Sequence, residues 1–478
     1  MIKSKVIAVD LDGTLTLTDT LHESVLALAR NKPLMLFMLP FWLAKGVAYL
    51  KLKVAENSML DVTTLPYNLT FIDWLKEQKT SGKTLMLCTA ANKLVARNVC
   101  RHFDLFDDFI ASDEYTNLKS TNKRKALEDK YGEYGYDYAG NSCADLEVWA
   151  GAAQAIVVNA SATVLTKASK VASVSKTFSS ENPSLSDWLK ALRVYQWLKN
   201  LLLFVPLLAA IQFGNFQSLA TLSLAFISFS LCASSVYIIN DLLDLESDRH
   251  HPRKKNRPFS SAKLPISLGA VIALILIGSS FTLGAIVGEN FLLILFLYFL
   301  ITIAYSLVLK RLILIDCLTL SSLYTVRVIA GAKAVSVSLS FWLLTFSMFI
   351  FLSLALLKRY GELNVKKQEG KISVHGRGYI VSDALLLQTL GVSSGYISAL
   401  VIALYVQSKD TVSLYVQPSA ILLVIPILLF WVSWVWLKAE RGEMDDDPIV
   451  FAAKDKASLV VALLTAVVFV YAATGMTF

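Results

Sequence analysis

The feature that most constrains the fold is a series of long apolar stretches that starts near residue 190. A helix needs about 20 apolar residues to cross a bilayer. Nine stretches reach or approach that length: 200–213, 218–239, 265–287, 291–309, 312–333, 341–357, 384–406, 417–437 and 457–475. The first is short, and its start extends toward Trp197. This pattern predicts an all-α polytopic membrane bundle of about nine transmembrane helices over residues 188–478.

Basic residues predict the orientation of the bundle. Lys and Arg cluster in alternate loops, at 249–263, 310–311, 358–377 and 438–456, whereas the opposite loops carry little beyond Lys409 and Lys333. Because basic loops stay on the cytoplasmic side, we expect the N-terminal domain and residues 240–257 in the cytoplasm, at a cell (inner) membrane. The net charge of +8 suits anionic lipid and anionic substrates, and nucleic acid is not an expected partner. The sequence leaves open whether the chain forms a homo-oligomer.

Residues 240–257 read N-D-L-L-D-L-E-S-D-R-H-H-P-R-K-K-N-R and lie between two apolar stretches. Asp241, Asp244 and Asp248 are three and four residues apart, so a continuous helix would place their carboxylates on one face. Three converging like charges need a cation, and Mg²⁺ is the usual one because it takes oxygen ligands and keeps phosphate oxygens in its shell. We expect the basic residues that follow to hold the rest of a phosphorylated substrate: Arg249, Lys254 and Arg257. The alternative is a charged cytoplasmic loop that binds no ligand.

The first 175 residues alternate apolar and polar segments, as a soluble domain does. Residues 5–14 read K-V-I-A-V-D-L-D-G-T, so a short β-branched run ends at Asp10 and Asp12. This predicts a buried parallel strand that delivers two acids at its carboxyl end, where α/β folds place their sites. A second buried strand, 84–90, ends near Thr89.

The D-L-D-G-T string resembles the first motif of the haloacid dehalogenase phosphatase superfamily. The resemblance implies a Rossmann-like α/β fold, with Asp10 as the nucleophile that takes the phosphoryl group and Asp12 as the general acid/base. It implies that Thr89 binds a phosphate oxygen. It also implies that Lys119 or Lys123, which both lie before a helical segment, neutralises the phosphate, and Lys123 is favoured because Leu127 follows four residues on.

Residues 138–149, Y-A-G-N-S-C-A-D-L-E-V-W, resemble the fourth motif of the same superfamily. The resemblance implies that Asp10, Asp12 and Asp145 hold Mg²⁺. The sequence departs from the pattern at Asn141, where an aspartate is common. Asn141 carries no charge and weakens the metal site, so a domain that is slow, or that only binds, is an open alternative.

A helical cap is expected at about 20–70, since this superfamily inserts one between its first two motifs. Within it, residues 34–50 are apolar but short for a span and are interrupted by Pro40 and Lys45. Their apolar side is expected either to pack on the core or to touch the membrane surface. Residues 155–160 are predicted as the last strand, and Ser-rich 173–187, with 176–187 between the domains, as the linker.

The N-D-x-x-D-x-x-x-D pattern after the second apolar helix resembles the UbiA-type intramembrane prenyltransferase superfamily, over most of 190–478. The resemblance implies that Mg²⁺ and a diphosphate are held by four residues: Asn240, Asp241, Asp244 and Asp248. It implies metal-assisted loss of pyrophosphate, with stabilisation of the leaving group and of the cationic carbon.

One departure favours a particular branch. The aromatic-acceptor branch carries a second D-x-x-x-D cluster after its sixth helix, where this chain has K-R-Y-G-E-L at 358–363. The motifs at 196–200 (Q-W-L-K-N), 305–310 (Y-S-L-V-L-K) and 327–331 (R-V-I-A-G) are more similar to the polyprenyl-phosphate phosphoribosyltransferases. That resemblance implies transfer of 5-phosphoribose from phosphoribosyl pyrophosphate to a polyprenyl (decaprenyl) phosphate, a step toward cell-wall arabinose donors. The N-terminal domain would then remove a phosphate, for which the product's 5-phosphate is a candidate.

The remaining candidates for substrate binding are polar residues in or near these motifs: Lys199, Asn200, Tyr305, Lys310, Asp316, Arg327, Lys358 and Arg359. Interface anchoring, snorkelling or a solvated helix end are the structural alternatives for most of them. Asp316 and Arg327 lie within one span but about three turns apart, so they cannot pair along the helix and each needs another partner. Residues 445–447 are expected to form an exposed acidic turn before the last helix.

Two other functions are compatible with parts of this pattern. A prenyltransferase that uses a prenyl diphosphate and an aromatic or quinone-type acceptor would share the first acidic cluster, but the second cluster is missing. A transporter could use Asp316 and Arg327 as coupling charges, and it would predict an inverted repeat, which the sequence does not clearly show.

Overall fold

The structure is a computed structural model that describes residues 5–179, 183–211, 215–368, 370, 378–408, 411, 414–444 and 447–475. The chain divides into two compact units. One comprises residues 1–192 together with 237–272, and the other comprises 193–236 together with 273–478. The predicted fold class is confirmed. An α/β domain that carries a helical cap comes first in the chain, and an all-α set of apolar helices follows.

The first unit contains a six-stranded parallel sheet with the order β3-β2-β1-β4-β5-β6. Its strands are β1 (Val6–Val9), β2 (Thr84–Asn92), β3 (Asp108–Ser112), β4 (Asp137–Gly140), β5 (Gln154–Val158) and β6 (Val174–Phe178). Ile7 and Val9 of β1 pack in one hydrophobic core, and Ala8 packs in the core on the opposite face. The β-branched run therefore forms a strand that is buried on both faces, as parallel sheets require.

The helices of this part of the chain connect the strands and form the cap. They are α1 (Thr20–Asn31), α2 (Leu39–Ala44), α3 (Val47–Ser58), α4 (Leu69–Thr80), α5 (Lys93–Phe103), α6 (Thr121–Tyr131), α7 (Leu146–Ala150), α8 (Ala162–Val171) and α9 (Leu185–Ala191). The first three follow β1 and precede β2, as the predicted cap requires.

The cap has a small core of its own, formed by Leu28, Trp42 and Val54. The apolar segment at 34–50 contributes only Trp42 to that buried set, while Leu34 and Phe37 are 79% and 75% exposed. Five further residues of the segment are partly buried against this cap core, so one part of the apolar side packs on the core and another part stays exposed. Contact with the membrane surface, the other expected outcome, stays a prediction.

Three of the six strands, β3, β4 and β6, were not predicted from the sequence. The predicted last strand corresponds to β5, but β6 follows it at Val174–Phe178, inside the stretch expected to be a linker. The pattern V-S-K-T-F has only five residues and pairs with β5 alone, so it forms an edge strand with little apolar content. Residues 180–182 of the predicted linker lie outside the described residues.

The remaining helices are mostly long and apolar. They are α10 (Val205–Ala209), α11 (Phe216–Leu243), α12 (Leu245–His250), α13 (Ile266–Val287), α14 (Glu289–Leu307), α15 (Ile315–Ala334), α16 (Phe341–Gln368), α17 (Ala384–Val406), α18 (Val424–Glu440), α19 (Pro448–Lys454) and α20 (Lys456–Thr474). In the described part of the chain, eight helices are long and apolar enough to cross a membrane. The predicted first span is instead a 3₁₀ helix, Val194–Phe204, that continues into α10, and the two together are too short to be counted among the eight.

Close packing between apolar helices uses small and polar residues, as is typical of membrane bundles. Ser228 and Ser280 each donate a hydrogen bond to the other's carbonyl, at 2.8 and 2.7 Å. Gly331 of α15 lies against the backbone of Leu203, where an added Cβ would come within 1.9 Å of the carbonyl oxygen. A larger residue at Gly331 would therefore force α15 and the 3₁₀ helix apart.

Candidate functional site

The first candidate site lies at the carboxyl ends of β1, β2 and β4 in the α/β unit. Asp10 follows β1, is 7% exposed, and accepts hydrogen bonds from the Leu11 N–H at 2.9 Å and the Lys123 ammonium at 2.8 Å. Thr89 of β2 is fully buried, and its hydroxyl oxygen accepts the N–H of Ala91. Burial raises the pKa of Asp10 to about 7, although Lys123 opposes the shift.

Asp12 lies in the tight turn Leu11–Leu15, which Gly13 makes possible by its φ of +74°. Its carboxylate accepts the backbone N–H of Thr20, the first residue of α1, at 2.8 Å. Burial raises the pKa of Asp12 to about 6, and the nearby charge of Asp19 adds to the shift. A carboxyl group with such a pKa can donate or accept a proton near neutral pH.

Lys123, and not Lys119, faces the acids. The Nζ atom of Lys123 contacts Asp10, donates to the Tyr138 hydroxyl at 2.9 Å and lies 3.8 Å from Asp145. Burial opposes the charge on Lys123, but Asp10 and Asp145 raise its pKa. In the described structure no hydrogen bond or ion pair joins Lys119 to these acids. The arrangement matches the role expected of Lys123, which stays a prediction.

The side chain of Asp145 is engaged by other parts of the protein. One oxygen accepts the Tyr138 hydroxyl at 2.8 Å, and the other accepts the N–H groups of Asn141 and Ser142 and the Ser142 hydroxyl. The uncharged amide of Asn141 lies against Gly13, in the turn that carries Asp12. No group of three metal-ligating side chains converges among the described residues. The metal role expected of Asp10, Asp12 and Asp145 stays a prediction.

Lys51 of α3 is a cap residue that sequence reasoning missed. Its ammonium donates to the carbonyl of Ala90 at 2.6 Å and to Asn117 at 3.0 Å, beside the end of β2. Burial lowers its pKa, while the charges of Asp12 and Asp19 oppose that shift. No local pattern distinguishes Lys51 from Lys53 two residues later, because only the fold of the cap turns Lys51 toward the site.

We therefore expect Lys51→Met to raise KM for phosphate monoesters by about tenfold with a smaller change in kcat, since one charge-assisted contact is worth about 1.5–3 kcal/mol. Hydrolysis of p-nitrophenyl phosphate by the full-length protein measures it. The matched control is Lys53→Met, which removes the same charge from the same helix at a partly exposed position that pairs with Glu56. Equal kinetics in the two variants would show that Lys51 does not contribute to substrate binding at the site.

The second candidate site is the acidic segment at 240–257, which belongs to the same compact unit as the α/β domain. The predicted continuous helix is wrong here: α11 ends at Leu243 and α12 begins at Leu245, with Asp244 at the N-cap between them. Asp241 and Asp248 nevertheless converge, because one guanidinium nitrogen of Arg257 contacts both carboxylates, at 3.0 and 2.6 Å. The break in the helix thus leaves two of the three predicted acids at a shared position.

These two acids fit a hard divalent cation by their chemistry. Asp241 and Asp248 are 2% and 0% exposed, and one oxygen of Asp248 is buried without a hydrogen-bond partner, with the Lys254 ammonium 3.9 Å away. Burial raises the pKa of Asp248, although Arg257 and Lys254 oppose the shift. A cation bound by Asp248 through the oxygen that Arg257 does not contact would satisfy that oxygen. Asp241 and Asp248 are therefore the residues here that would hold Mg²⁺.

The helical unit contains a buried cluster in which two lysines share one acid. Lys199 donates to Asp447, and the Lys358 ammonium lies 3.6 Å from the same carboxylate oxygen. Asp447 is 6% exposed, so the expected exposed acidic turn is wrong at this position, because buried Lys199 and partly buried Lys358 hold the carboxylate inside. Asp445 and Asp446 lie outside the described residues. No sequence spacing could have paired Asp447 with lysines 248 and 89 residues away.

Arg327 is held by uncharged partners. Its guanidinium donates to the Asn200 amide oxygen at 2.9 Å, to the Leu323 carbonyl and to the Tyr298 hydroxyl at 2.9 Å, and it lies over the Tyr298 ring. Asn200 in turn donates to Ser230. Arg327 and Asn200 thus form one buried network that fixes the 3₁₀ helix against α15.

Asp316 has a different partner, as its distance from Arg327 requires. Arg359 of α16 forms a two-pronged contact with the Asp316 carboxylate, and the Tyr305 hydroxyl bridges both side chains at 2.9 Å. Arg359 also contacts Glu362 at 2.7 Å. The apolar stretch predicted to end at residue 357 belongs to a helix, α16, that continues to Gln368. Arg359 is therefore buried between helices and does not lie at a solvated helix end.

The other predicted residues lie on the acidic segment or at a helix end. Arg249 pairs with Glu23 of the cap. Lys310 lies in the 3₁₀ turn Leu309–Arg311, after α14. Asn240 lies in the last turn of α11, next to Asp241.

The UbiA prenyltransferase family model matches residues 201–454. The chain belongs to this family. As a family member with eight long apolar helices, it is a multi-pass membrane protein.

Relatives of this UbiA-family chain cover different parts of it. The uncharacterized protein y4nM of Sinorhizobium fredii is 34% identical over 466 residues, which are 97% of this chain and 90% of that protein. A decaprenyl-phosphate phosphoribosyltransferase of Mycobacterium tuberculosis is 35% identical over 185 residues, 38% of this chain and 61% of that protein.

Two solved structures are similar to separate parts of the chain. A UbiA homologue from Archaeoglobus fulgidus, bound to GPP and Mg²⁺, has 16% identity and a TM-score of 0.45 and covers 59% of this chain and 98% of its own. A phosphoserine phosphatase in its apo form has 16% identity and a TM-score of 0.28, with coverage of 37% and 94%.

Proposed function

We propose that this UbiA-family protein transfers 5-phosphoribose from phosphoribosyl pyrophosphate to a polyprenyl phosphate and releases pyrophosphate. Phosphoribosyltransferase relatives at about one-third identity support this choice within the family. The observation that carries it is the pair of lysines, buried Lys199 and partly buried Lys358, on the single carboxylate of Asp447. Two ammonium groups and one carboxylate suit a lipid that brings one phosphate.

The acidic segment would bind the other substrate. Mg²⁺ held by Asp241 and Asp248 would supply neutralisation of the diphosphate of phosphoribosyl pyrophosphate. In the reaction, an oxygen of the lipid phosphate forms a bond to C1 of the ribose while the bond from C1 to pyrophosphate breaks. Arg257 and Lys254, which already lie beside the two acids, would hold the phosphates of the same substrate.

The α/β domain would act as a phosphatase with Asp10 as nucleophile. Asp10 would attack the phosphorus of a monoester, Lys123 would balance the charge of the phosphorylated intermediate, and Asp12 would protonate the leaving oxygen. Buried Asp10 and Lys123 in direct contact support these roles. The 5-phosphate of the phosphoribosylated lipid is the substrate that links this domain to the transferase. We place the domain in the cytoplasm, on the side of the basic loops.

The direct test combines purified full-length protein, Mg²⁺, radiolabelled phosphoribosyl pyrophosphate and decaprenyl phosphate. A labelled lipid that appears together with pyrophosphate supports the proposal. A parallel reaction contains geranyl diphosphate and an aromatic acid. Prenylation of the acid without a phosphoribosylated lipid would identify an aromatic prenyltransferase instead.

The lysine pair gives a prediction of its own. We expect Lys199→Met and Lys358→Met each to raise KM for polyprenyl phosphate by about tenfold or more, since loss of a hydrogen bond to a charged group costs about 1.5–3 kcal/mol. KM for phosphoribosyl pyrophosphate should change much less. Lys333→Met, at an exposed position of α15, is the control and should behave as the wild type. A rise in KM for phosphoribosyl pyrophosphate alone would show that the lysines bind that substrate and not the polyprenyl phosphate.

A further inference from the structure

The first turn of cap helix α1 carries three buried polar residues. Thr20, Glu23 and Ser24 are 2%, 5% and 2% exposed. The Thr20 N–H donates to Asp12 at 2.8 Å, and the Ser24 hydroxyl donates to the Thr20 carbonyl. This turn is thus attached at one end to the loop of the phosphatase-like site.

Glu23 attaches the same turn to the acidic segment. Its two carboxylate oxygens accept the two terminal nitrogens of Arg249, at 2.6 and 3.1 Å, in a bidentate pair that is almost completely buried. The third nitrogen of Arg249 donates to the Ser260 carbonyl at 3.0 Å. Each of the three nitrogens of the Arg249 guanidinium therefore donates a hydrogen bond to a protein oxygen.

The pair lies directly beside the candidate metal ligands. Arg249 follows Asp248 in α12, and Asp248 shares Arg257 with Asp241. Around the pair, Leu26 of α1 and Leu60, just after α3, line a narrow groove with Leu242 and Leu245 of the acidic segment. A second contact, Arg30 with Glu246, is about one-third exposed and contributes less.

We infer that Glu23 is a positioning residue for the transferase: through Arg249 it fixes α12, and with it the Asp241–Asp248 pair, against the phosphatase-like domain. Arg249 is then a tether rather than the substrate ligand that its charge suggested. A buried bidentate arginine–carboxylate pair is suited to this role because its geometry is specific and loss of either partner leaves an uncompensated charge. The kinetic part of the inference rests on the proposed transferase function, and the structural part does not.

Hydrogen–deuterium exchange of the full-length protein tests the structural part. In Glu23→Gln, amides within 240–257 should exchange about tenfold faster or more than in the wild type, because the segment loses its buried anchor. Glu56→Gln, which removes an exposed acid of the same cap, is the matched control and should leave exchange unchanged. Unchanged exchange in Glu23→Gln would overturn the inference, whatever reaction the membrane unit performs.

Transfer kinetics separate a tether from a ligand. For a tether, Glu23→Gln and Arg249→Gln should each raise KM for phosphoribosyl pyrophosphate by about tenfold, and the double variant should be no worse than either one. For a substrate-binding Arg249, the arginine change would be the larger and the two effects would add, which overturns the positioning role. If exchange is altered in Glu23→Gln but the wild type shows no phosphoribosyl transfer, the proposed function fails and the tether stands.

Discussion

Asp248→Asn should reduce phosphoribosyl transfer by about a hundredfold or more, the usual effect of removing one group that stabilises developing charge in an active site. Asp248 is fully buried and holds one oxygen without a hydrogen bond beside Arg257 and Lys254. Its amide variant keeps the shape but loses the charge that would bind Mg²⁺. Transfer of labelled phosphoribose to decaprenyl phosphate measures the loss, and Mn²⁺ binding followed by electron paramagnetic resonance should weaken in parallel.

Two controls make this result specific. Glu246→Gln removes a partly exposed acid from the same short helix and should change transfer less than about threefold, because surface ion pairs contribute little. Hydrolysis of p-nitrophenyl phosphate by the Asp248→Asn protein should stay at the wild-type rate, which shows that the chain is folded. Normal transfer in Asp248→Asn would exclude the acidic segment as the metal site.

Asp10→Asn should reduce phosphate release by about a thousandfold or more, because an amide cannot form the phosphoenzyme that a carboxylate forms. Lys123 would lose the partner that it contacts at 2.8 Å, so the variant should also be less stable. Lipid phosphoribosylation should continue, and the product should keep its 5-phosphate. Release of inorganic phosphate, together with mass spectrometry of the lipid product, measures both effects.

Asp108→Asn supplies the matched control for Asp10. It removes a carboxylate that also pairs with a lysine, Lys130, but at the exposed start of β3. Phosphate release by this variant should equal that of the wild type. Persistent release in Asp10→Asn would show that another group is the nucleophile, and loss of lipid transfer would show that the two activities are not separable.

The sequence predicted features that depend on local pattern. The run V-I-A-V before Asp10 indicated a buried parallel strand, and the structure has β1 at that position with both faces covered. The lengths of the apolar stretches indicated the eight long helices among α11 to α20, because span length and hydrophobicity are properties of a single segment. Weaker segments were predicted wrongly: β6 is too polar to be recognised as a strand, and the first predicted span starts as a 3₁₀ helix.

The candidate sites could be predicted only in part. Acids at helical spacing marked the segment at 240–257, but the spacing assumed one helix, and the break at Asp244 leaves Asp241 and Asp248 joined by Arg257. Lys51 and Asp447 carried no recognisable signal at all. Their roles depend on which distant side chains they face.

The sequence by itself determined where strands, apolar helices and charged residues occur along the chain, because these follow from composition and periodicity within a few turns. Only the tertiary structure decided which charges meet: Lys123 with Asp10, Lys199 and Lys358 with Asp447, Asp316 with Arg359, and Glu23 with Arg249. A buried charge is costly wherever it lies, so each one must find a partner, but the packing of elements far apart in the chain selects that partner.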